Sequence, residues 1–169
     1  YWKGVEYFLG QLSLDQTIFE IGSGSGYDAK RIEVSGFTVI RSDASTAFIK
    51  QLTESGYKTQ YYDVLDGPTS NKYPAIYANA VLLHFNDALF DLALDNVASS
   101  LEQNGYLCIG MKLGDFEGWR DKGLSGKRYF KFWNQNDLQI TLHKHGYNVL
   151  NATPSEDGEF IILTAKLKP

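Results

Sequence analysis

The sequence predicts an α/β fold built on a doubly wound, seven-stranded and mostly parallel sheet. Two observations support this prediction. Short apolar, β-rich runs alternate with amphipathic helical segments along most of the 169 residues, and such alternation requires crossover connections that place consecutive strands parallel. The last two strand-like runs are instead joined by a short turn at residues 154–158, so the final strand is expected to run antiparallel to its neighbour.

The seven predicted strands share a high content of β-branched, aromatic and aliphatic residues. They cover residues 17–21, 38–41, 58–62, 75–79, 106–111, 147–150 and 160–166. Helices are expected between them, because capping residues and glycines stand at suitable boundaries. These helices cover residues 1–10 and 29–35, and three further segments run from Ser45 to Gly56, from Asn86 to Gly105, and from Asn134 or Asn136 to Gly146.

Residues 113–128 interrupt the alternation with a polar stretch that contains four glycines, Gly114, Gly118, Gly123 and Gly126. This composition predicts a long mobile loop, and long loops in compact domains are often functional. We therefore expect a lid over a binding site.

Length and composition bound the remaining possibilities. We expect one domain over residues 1–169, with 43% hydrophobic residues to build a core. The net charge of −4 argues against a nucleic-acid partner, and no apolar run is long enough for a membrane span. The single cysteine, Cys108, is expected to be a buried thiol, which favours a cytoplasmic protein. The chain does not begin with methionine, which is compatible with a trimmed N-terminus.

The most informative segment follows the first predicted strand. Glu20 is followed by Gly22, Gly24 and Gly26 in the pattern acidic-x-G-x-G-x-G, immediately before a predicted helix. A glycine turn at a helix N-terminus is suited to close contact between backbone and ligand. The dinucleotide fingerprint G-x-G-x-x-G would need its third glycine at position 27, which is Tyr27.

This pattern resembles motif I of the class I S-adenosylmethionine-dependent methyltransferases. The resemblance extends over nearly the whole chain and implies the Rossmann-like strand order 3-2-1-4-5-7-6, with the last strand antiparallel. It also implies S-adenosyl-L-methionine as cofactor and S-adenosyl-L-homocysteine as product. The residues expected at the cofactor, by this resemblance, are Glu20, Gly22, Ser23, Gly24, Gly26, Asp43, Ala44, Asp63, Val64 and Asn79.

The resemblance assigns each group a role. Glu20 would help to hold the methionyl ammonium, and Asp43 the two ribose hydroxyls, although Asp43 could instead begin a turn before Ser45. Asp63 would contact the adenine, or it could be an exposed loop residue. Asn79 and Ala80 end the fourth strand in a run that resembles motif IV, and backbone oxygens there would face the ammonium and the sulfonium-bearing chain. Asp28 is interpreted as a favourable charge at a helix N-terminus.

The catalytic and acceptor-binding residues are harder to predict. His84 is the candidate general base, with a packed histidine as the alternative. Lys112, Lys127 and Arg128 could pair with an anionic acceptor, and Trp119 or Tyr129 could cover an apolar one, unless these residues belong to a solvated loop. No metal is expected, because His143 and His145 do not share a helical face.

We therefore expect a methyltransferase acting on a small-molecule acceptor. Two other hypotheses remain open from the sequence. One is a regulatory module that binds the cofactor without turnover, and the other is a nicotinamide-dependent oxidoreductase, which the glycine spacing disfavours. The sequence does not indicate the acceptor or the oligomeric state.

Overall fold

A seven-stranded sheet forms the centre of the computed structural model, which describes residues 1–121 and 126–169. The sheet order is β3-β2-β1-β4-β5-β9-β8, and β6 and β7 form a separate hairpin. The strands are β1 (Thr17–Ile21), β2 (Thr38–Asp43), β3 (Thr59–Tyr61), β4 (Tyr73–Asn79), β5 (Leu101–Lys112), β6 (Glu117–Asp121), β7 (Lys127–Lys131), β8 (Tyr147–Pro154) and β9 (Phe160–Leu167).

The pairing confirms the predicted fold class. Strands β1 to β5 pair in parallel, whereas β9 runs antiparallel to both β5 and β8. Without the hairpin, β8 and β9 are the sixth and seventh strands, so the order corresponds to the expected 3-2-1-4-5-7-6. The strand order changes direction between β1 and β4, because β2 and β3 lie on one side of β1 and the later strands lie on the other. The carboxyl ends of β1 and β4 lie at the same edge of the sheet.

Helices cover both faces of the sheet. They are α1 (Trp2–Leu9), α2 (Tyr27–Val34), α3 (Thr46–Glu54), α4 (Asp87–Ser100) and α5 (Gln135–Lys144). One core contains buried residues of α4 and α5, among them Phe90, Leu94, Leu138 and Leu142. The other core contains buried residues of α1 and α2, among them Val5, Phe8, Ala29 and Ile32.

Most predicted helix boundaries agree with the structure. The Asn86 side chain accepts a hydrogen bond from the Leu89 amide at 3.0 Å, and the Asn134 side chain accepts one from the Asn136 amide at 2.9 Å. Ser45 precedes α3 as expected, but its side chain makes no capping bond within the described part of the chain. The predicted end of α4 at Gly105 is wrong, because the helix ends at Ser100 and β5 begins at Leu101.

The predicted loop at residues 113–128 is also wrong for most of its described part. Residues of β6 pair antiparallel with β7, with Trp119 opposite Tyr129 and Arg120 opposite Arg128. Aromatic cross-strand pairs stabilise a hairpin even where glycine is abundant, and the Phe132 amide bonds the Phe116 carbonyl at 2.7 Å to extend the pairing. Residues 122–125 of the predicted loop, including Gly123, lie outside the described residues.

The centre of the sheet contains the cysteine. Cys108 lies in β5 between Tyr77 of β4 and Thr164 of β9 and is completely buried. Burial raises the pKa of its thiol, as expected for a structural cysteine. None of the helices in residues 1–121 and 126–169 has the length and apolar character needed to cross a membrane.

Candidate active site

The glycine turn lies at the carboxyl end of β1 and is fastened to β2. The Ser23 amide donates to the Ser42 carbonyl at 2.8 Å, and the Ser42 amide donates to Ser23 Oγ at 3.1 Å. The Gly24 amide donates to Asp43 Oδ2 at 2.9 Å. These bonds hold the turn over the ends of both strands, so the backbone of the turn and the carboxylate of Asp43 share one site.

The three glycines of the turn are required for different reasons. All three have positive φ, at 70°, 52° and 78° for Gly22, Gly24 and Gly26. A Cβ on Gly22 would lie 2.3 Å from Val81, and a Cβ on Gly26 would lie 2.8 Å from Leu52. A Cβ on Gly24 would meet no described atom within 4 Å. A side chain at Gly22 or Gly26 would therefore be crowded by its neighbours, and of the three glycines only Gly24 has open space for a ligand beside its backbone.

A cavity of about 210 Å³ lies beside the turn, and we call it the turn cavity. It is lined by six of the residues predicted from the sequence, five for the cofactor and His84, at the end of β2 and in the segments that follow β1, β2, β3 and β4. Its walls are formed by Ile21, Gly22, Asp43, Ala44, Tyr62, Asp63, Val64, Leu65, Val81, His84 and Phe85.

Two carboxylates border the turn cavity. Asp43 Oδ1 accepts a hydrogen bond from the Ser45 amide at 2.8 Å, in addition to the Gly24 bond. Asp63 Oδ1 accepts one from the Leu65 amide at 3.0 Å. A carboxylate has about four lone-pair positions, so both side chains are oriented by backbone amides and keep acceptor capacity for a ligand.

Glu20 is placed beneath the turn. Its side chain is only 3% exposed, and its Oε2 has no hydrogen-bond partner among the residues that the structure describes. Burial raises the pKa of the carboxyl to about 7, and the nearby charge of Asp28 acts in the same direction. A donor or a positive charge at this position would therefore stabilise the ionised form.

Asp28 has a larger role than the N-terminal charge that the sequence suggested. Its Oδ2 accepts hydrogen bonds from the Tyr77 hydroxyl at 2.9 Å and from Asn79 Nδ2 at 2.7 Å. Its Oδ1 accepts one from the Tyr1 hydroxyl at 3.0 Å. The carboxylate thus connects α2, the end of β4 and Tyr1.

The end of β4 combines an oriented amide with an unusual backbone conformation. Because the Asn79 amide nitrogen donates to Asp28, its Oδ1 points elsewhere and has no partner in the described part of the chain. A Cβ on Gly110 would lie only 1.9 Å from this oxygen, so glycine is needed there. Ala80 follows with a φ of 58°, a conformation that non-glycine residues adopt mainly at constrained sites.

A second cavity, of about 400 Å³, lies between the end of β4 and the hairpin, and we call it the hairpin cavity. It is lined by Ala80, Leu83, His84, Lys112, Arg128, Phe130 and Phe160. His84 borders both cavities and stands between them. Lys112 and Arg128 both line the hairpin cavity, whereas Lys127 does not.

The side chain of Tyr129 lies on the other face of β7. Neighbouring residues of a strand point to opposite faces, and the Tyr129 ring packs edge to face with Trp119 at a centroid distance of 5.8 Å. Its hydroxyl donates to a Glu117 carboxylate oxygen. A third cavity, lined by His84, Asn86, Leu89, Trp119 and Tyr129, lies on this side.

His84 ends a short 3-10 turn (Leu82–His84) directly after β4. Its Nδ1 is 2.7 Å from the Tyr129 carbonyl oxygen, and its ring lies edge to face with Phe130 at 4.6 Å. A carbonyl can only accept, so Nδ1 carries the proton and the neutral ring has its lone pair on Nε2. This is the tautomer that a general base acting through Nε2 requires.

Comparison with known proteins identifies the family. The profile of a family described as a methyltransferase domain matches residues 2–152. The chain belongs to this family. The match confirms the predicted class of enzyme, a methyltransferase, whereas no protein of curated function matches the sequence.

Solved structures of methyltransferases share the fold. The glycopeptide N-methyltransferase MtfA, in complex with S-adenosylhomocysteine, superposes with a TM-score of 0.78 at 13% identity, over 98% of this chain and 88% of the other. An S-adenosylmethionine-dependent methyltransferase from Clostridium acetobutylicum ATCC 824 gives 0.77 at 11% identity, over 98% and 89%. The 1,6-didemethyltoxoflavin-N1-methyltransferase of Burkholderia thailandensis gives 0.75 at 14% identity, over 99% and 77%.

Several residues at the site of this methyltransferase were not predicted from its sequence. Tyr1 and Tyr77 hold Asp28, and Phe160 enters the hairpin cavity from β9. Tyr77 lies within a predicted strand that gave no sign of which face it used, and Phe160 begins the last strand. Only the register between strands brings these side chains to the site.

Proposed function

We propose that this methyltransferase takes its methyl group from S-adenosylmethionine and transfers it to a small-molecule acceptor bound in the hairpin cavity. One observation carries the proposal. The turn cavity, with carboxylates at Asp43 and Asp63, lies beside the turn that leaves open space at Gly24, and it shares His84 as a wall with the hairpin cavity. A nucleoside in one cavity and an acceptor in the other would therefore both lie beside His84.

The residues present fit the cofactor. Asp43 keeps acceptor capacity for the two hydroxyls of a ribose, and Asp63 with the Val64 amide is suited to the edge of an adenine. Glu20 Oε2 and Asn79 Oδ1 are buried acceptors without a described partner. They belong to adjacent strands and point to the same face of the sheet, since Glu20 pairs with Tyr77. Both are suited to the methionyl ammonium.

The chain contributes mainly by positioning. The bound cofactor supplies a methyl group on a sulfonium, which is already activated toward attack by a nucleophile. The hairpin cavity would hold the acceptor in line with that group, and holding reactants in place can supply a large part of the acceleration. Apolar walls from Leu83, Phe130 and Phe160 would limit the access of water.

His84 is proposed as the general base for an acceptor that loses a proton on methylation. The Tyr129 carbonyl fixes the Nδ1 proton, so Nε2 would accept the proton from the acceptor heteroatom. An acceptor that is already anionic or a neutral amine would not need this step. The effect of His84→Asn on turnover would therefore depend on the acceptor.

The test is titration calorimetry with S-adenosylmethionine, S-adenosylhomocysteine and NADH. We expect micromolar binding of the first two, about −8 kcal/mol, and none of NADH. Gly24→Val should abolish binding, because the new side chain fills the open space beside the turn. Gly56→Val is the matched control: Gly56 also has a positive φ, of 83°, and open surroundings, so it carries the same kind of strain away from the site.

Equal loss of binding in both variants would mean that backbone strain alone is responsible, and unchanged binding in Gly24→Val would exclude the turn as the cofactor site. Binding of S-adenosylmethionine without any product from a broad acceptor panel would favour the regulatory module that the sequence left open.

A further inference from the structure

The hairpin cavity is positively charged at its rim, although the chain as a whole has a net charge of −4. Lys112, at the end of β5, and Arg128, in β7, both line this cavity. They lie on two different strands, so the fold brings two cations to one opening. A focused positive potential at the mouth of a cleft attracts anionic ligands.

Arg128 has no counter-charge in the described structure. No carboxylate of residues 1–121 or 126–169 forms an ion pair with it, and the residue directly opposite on β6 is Arg120. Like charges in opposite positions of an antiparallel pair destabilise the hairpin. Arg120 is held by aromatic rings instead, with its guanidinium 3.8 Å from the Phe116 centroid and 4.8 Å from that of Phe132.

Lys112 is paired only weakly. Its ammonium lies 3.4 Å from Glu159 Oε2, and the side chain of Glu159 is 69% exposed. Exposed pairs of this kind contribute little to stability. Glu159 is therefore a carboxylate that an incoming anion could replace at Lys112 with a small loss of protein stability.

The interior of the same cavity is apolar. Leu83 is 3% exposed, and the rings of Phe130 and Phe160 are half-buried at the wall. A ligand that filled the cavity would place an apolar body against these side chains and its charge toward the two cations. Burial of flat apolar surface and a charge-assisted pair would then act together.

We propose that the acceptor of this enzyme is an aromatic acid, whose anionic group is bound by Arg128 and Lys112 and whose ring packs between Phe130 and Phe160. The inference rests on the proposed function, because that function makes the hairpin cavity the acceptor site. It adds a specific role for Glu159: this residue competes with the acceptor for Lys112 and so weakens acceptor binding.

The experiment uses two probes of equal shape, 2-naphthoate and 2-naphthamide, titrated into the full chain by calorimetry in the presence of S-adenosylhomocysteine and again without it. We expect naphthoate to bind about tenfold more tightly than naphthamide, or better. Arg128→Met should remove this preference, and Glu159→Gln should increase it by several fold. Lys127→Met, the neighbouring cation of the same strand, is the matched control and should leave the preference unchanged.

Equal affinities for the two probes, no binding of either, or a weaker naphthoate complex in Glu159→Gln would overturn the inference. Loss of the preference in Lys127→Met as well would show a general charge effect rather than a site, and would also overturn it. The titration of S-adenosylhomocysteine itself separates the two proposals: if it binds and naphthoate is not preferred, only the aromatic acid is excluded. If S-adenosylhomocysteine does not bind, the proposed function fails. The titrations without S-adenosylhomocysteine then still show whether the cavity prefers naphthoate to naphthamide.

Discussion

Asp43 illustrates how one carboxylate can have a structural task and a ligand-binding task together. The sequence presented a ribose contact and the start of a turn as alternatives. The structure shows the second, since Asp43 accepts hydrogen bonds from the amides of Gly24 and Ser45. The same bonds fix the carboxylate at the wall of the turn cavity, so orientation by the backbone prepares the proposed contact.

We predict that Asp43→Ala weakens S-adenosylhomocysteine binding by about 2–3 kcal/mol, because a charge-assisted pair of hydrogen bonds is lost. It should also lower the free energy of unfolding without ligand by about 1–2 kcal/mol, because two backbone amides lose their acceptor. Calorimetry and urea unfolding measure the two effects. Asp43→Asn keeps one acceptor oxygen, so it should affect stability less. If Asp43→Ala lowers stability but leaves the affinity for S-adenosylhomocysteine unchanged, the role of Asp43 is only structural.

Glu20 should make stability depend on pH. Its pKa of about 7 in the folded protein lies above the ordinary value of 4.5. Between these values the unfolded chain releases the proton and the folded chain keeps it, so the free energy of unfolding should fall as pH rises from about 4.5 to 7, by up to about 3 kcal/mol. Glu20→Gln should lack this dependence and be more stable than the parent at pH 8.

Urea unfolding at pH 4.5, 6 and 8 measures this effect, with Glu102→Gln, at an exposed position of β5, as the surface control. A difference between parent and Glu20→Gln that is the same at every pH would contradict the prediction.

Residues at strand ends were predictable because the glycine motif fixes the position of the site in the chain. Once β1 and its turn are recognised, Asp43 and Asp63 follow from the ends of the next two strands, and both border the turn cavity. The hydrogen bonds of Asp28 were not predictable in this way. They depend on Tyr77 and Asn79 facing α2, and the sequence of a strand buried on both faces does not show which face each residue uses.

The hairpin is the element that the sequence misrepresented. Glycines at 114, 118 and 126 suggested a flexible loop, yet β6 and β7 pair over five positions. The base of the hairpin is fastened to the sheet region as well, since the Trp133 amide donates to the Lys112 carbonyl at 2.9 Å and the Gly114 amide donates to the Trp133 carbonyl at 3.1 Å. The cross-strand aromatic pairs stabilise the hairpin more than its glycines destabilise it. Propensities of single residues do not include such pair interactions.

Lys131 should determine how rigid this hairpin is. Its ammonium lies 2.5 Å from Asp87 Oδ1 and 3.2 Å from Glu117 Oε2, and the side chain is only 14% exposed. It therefore connects β7 with β6 and with the start of α4. We predict that Lys131→Met lowers the hydrogen-exchange protection of the hairpin amides by about 1 kcal/mol.

The control for this measurement is Lys127→Met, at the opposite, exposed end of β7, which should leave the protection nearly unchanged. If the hairpin were instead a lid that is open in the free protein, the amides of β6 and β7 in the parent would exchange without protection. That result would contradict the interpretation of the hairpin as a fixed wall of the cavity.

For the whole molecule, the sheet order follows from a small number of constraints that the sequence contains. Alternating strands and helices require right-handed crossovers, and the short connection between β8 and β9 requires one antiparallel pair. The order places the change of winding between β1 and β4, where ligands bind in open α/β sheets. The proposed acceptor cavity was not predictable, since it is assembled from the segment after β4 and from β5, β7 and β9, whose relative positions exist only in the folded chain.

Because the turn cavity involves β1, β2 and the segment after β3, ligand binding should stabilise the fold as one unit. At a concentration of S-adenosylhomocysteine one hundred times its dissociation constant, we predict a rise in Tm of roughly 5–10 °C. A thermal scan of the parent and of Gly24→Val measures it, and only the parent should respond. A rise of equal size in both proteins would indicate binding elsewhere.

The position of Cys108 provides an intrinsic reporter for future experiments. The thiol is enclosed between two neighbouring strands at the middle of the sheet, so an alkylating reagent can reach it only when the sheet itself opens. The rate of alkylation would then report global opening, and it should fall when a cofactor is bound. The same protection means that a second cysteine introduced at an exposed position, such as that of Trp119, could carry a fluorescent or spin label selectively, without removal of the native thiol.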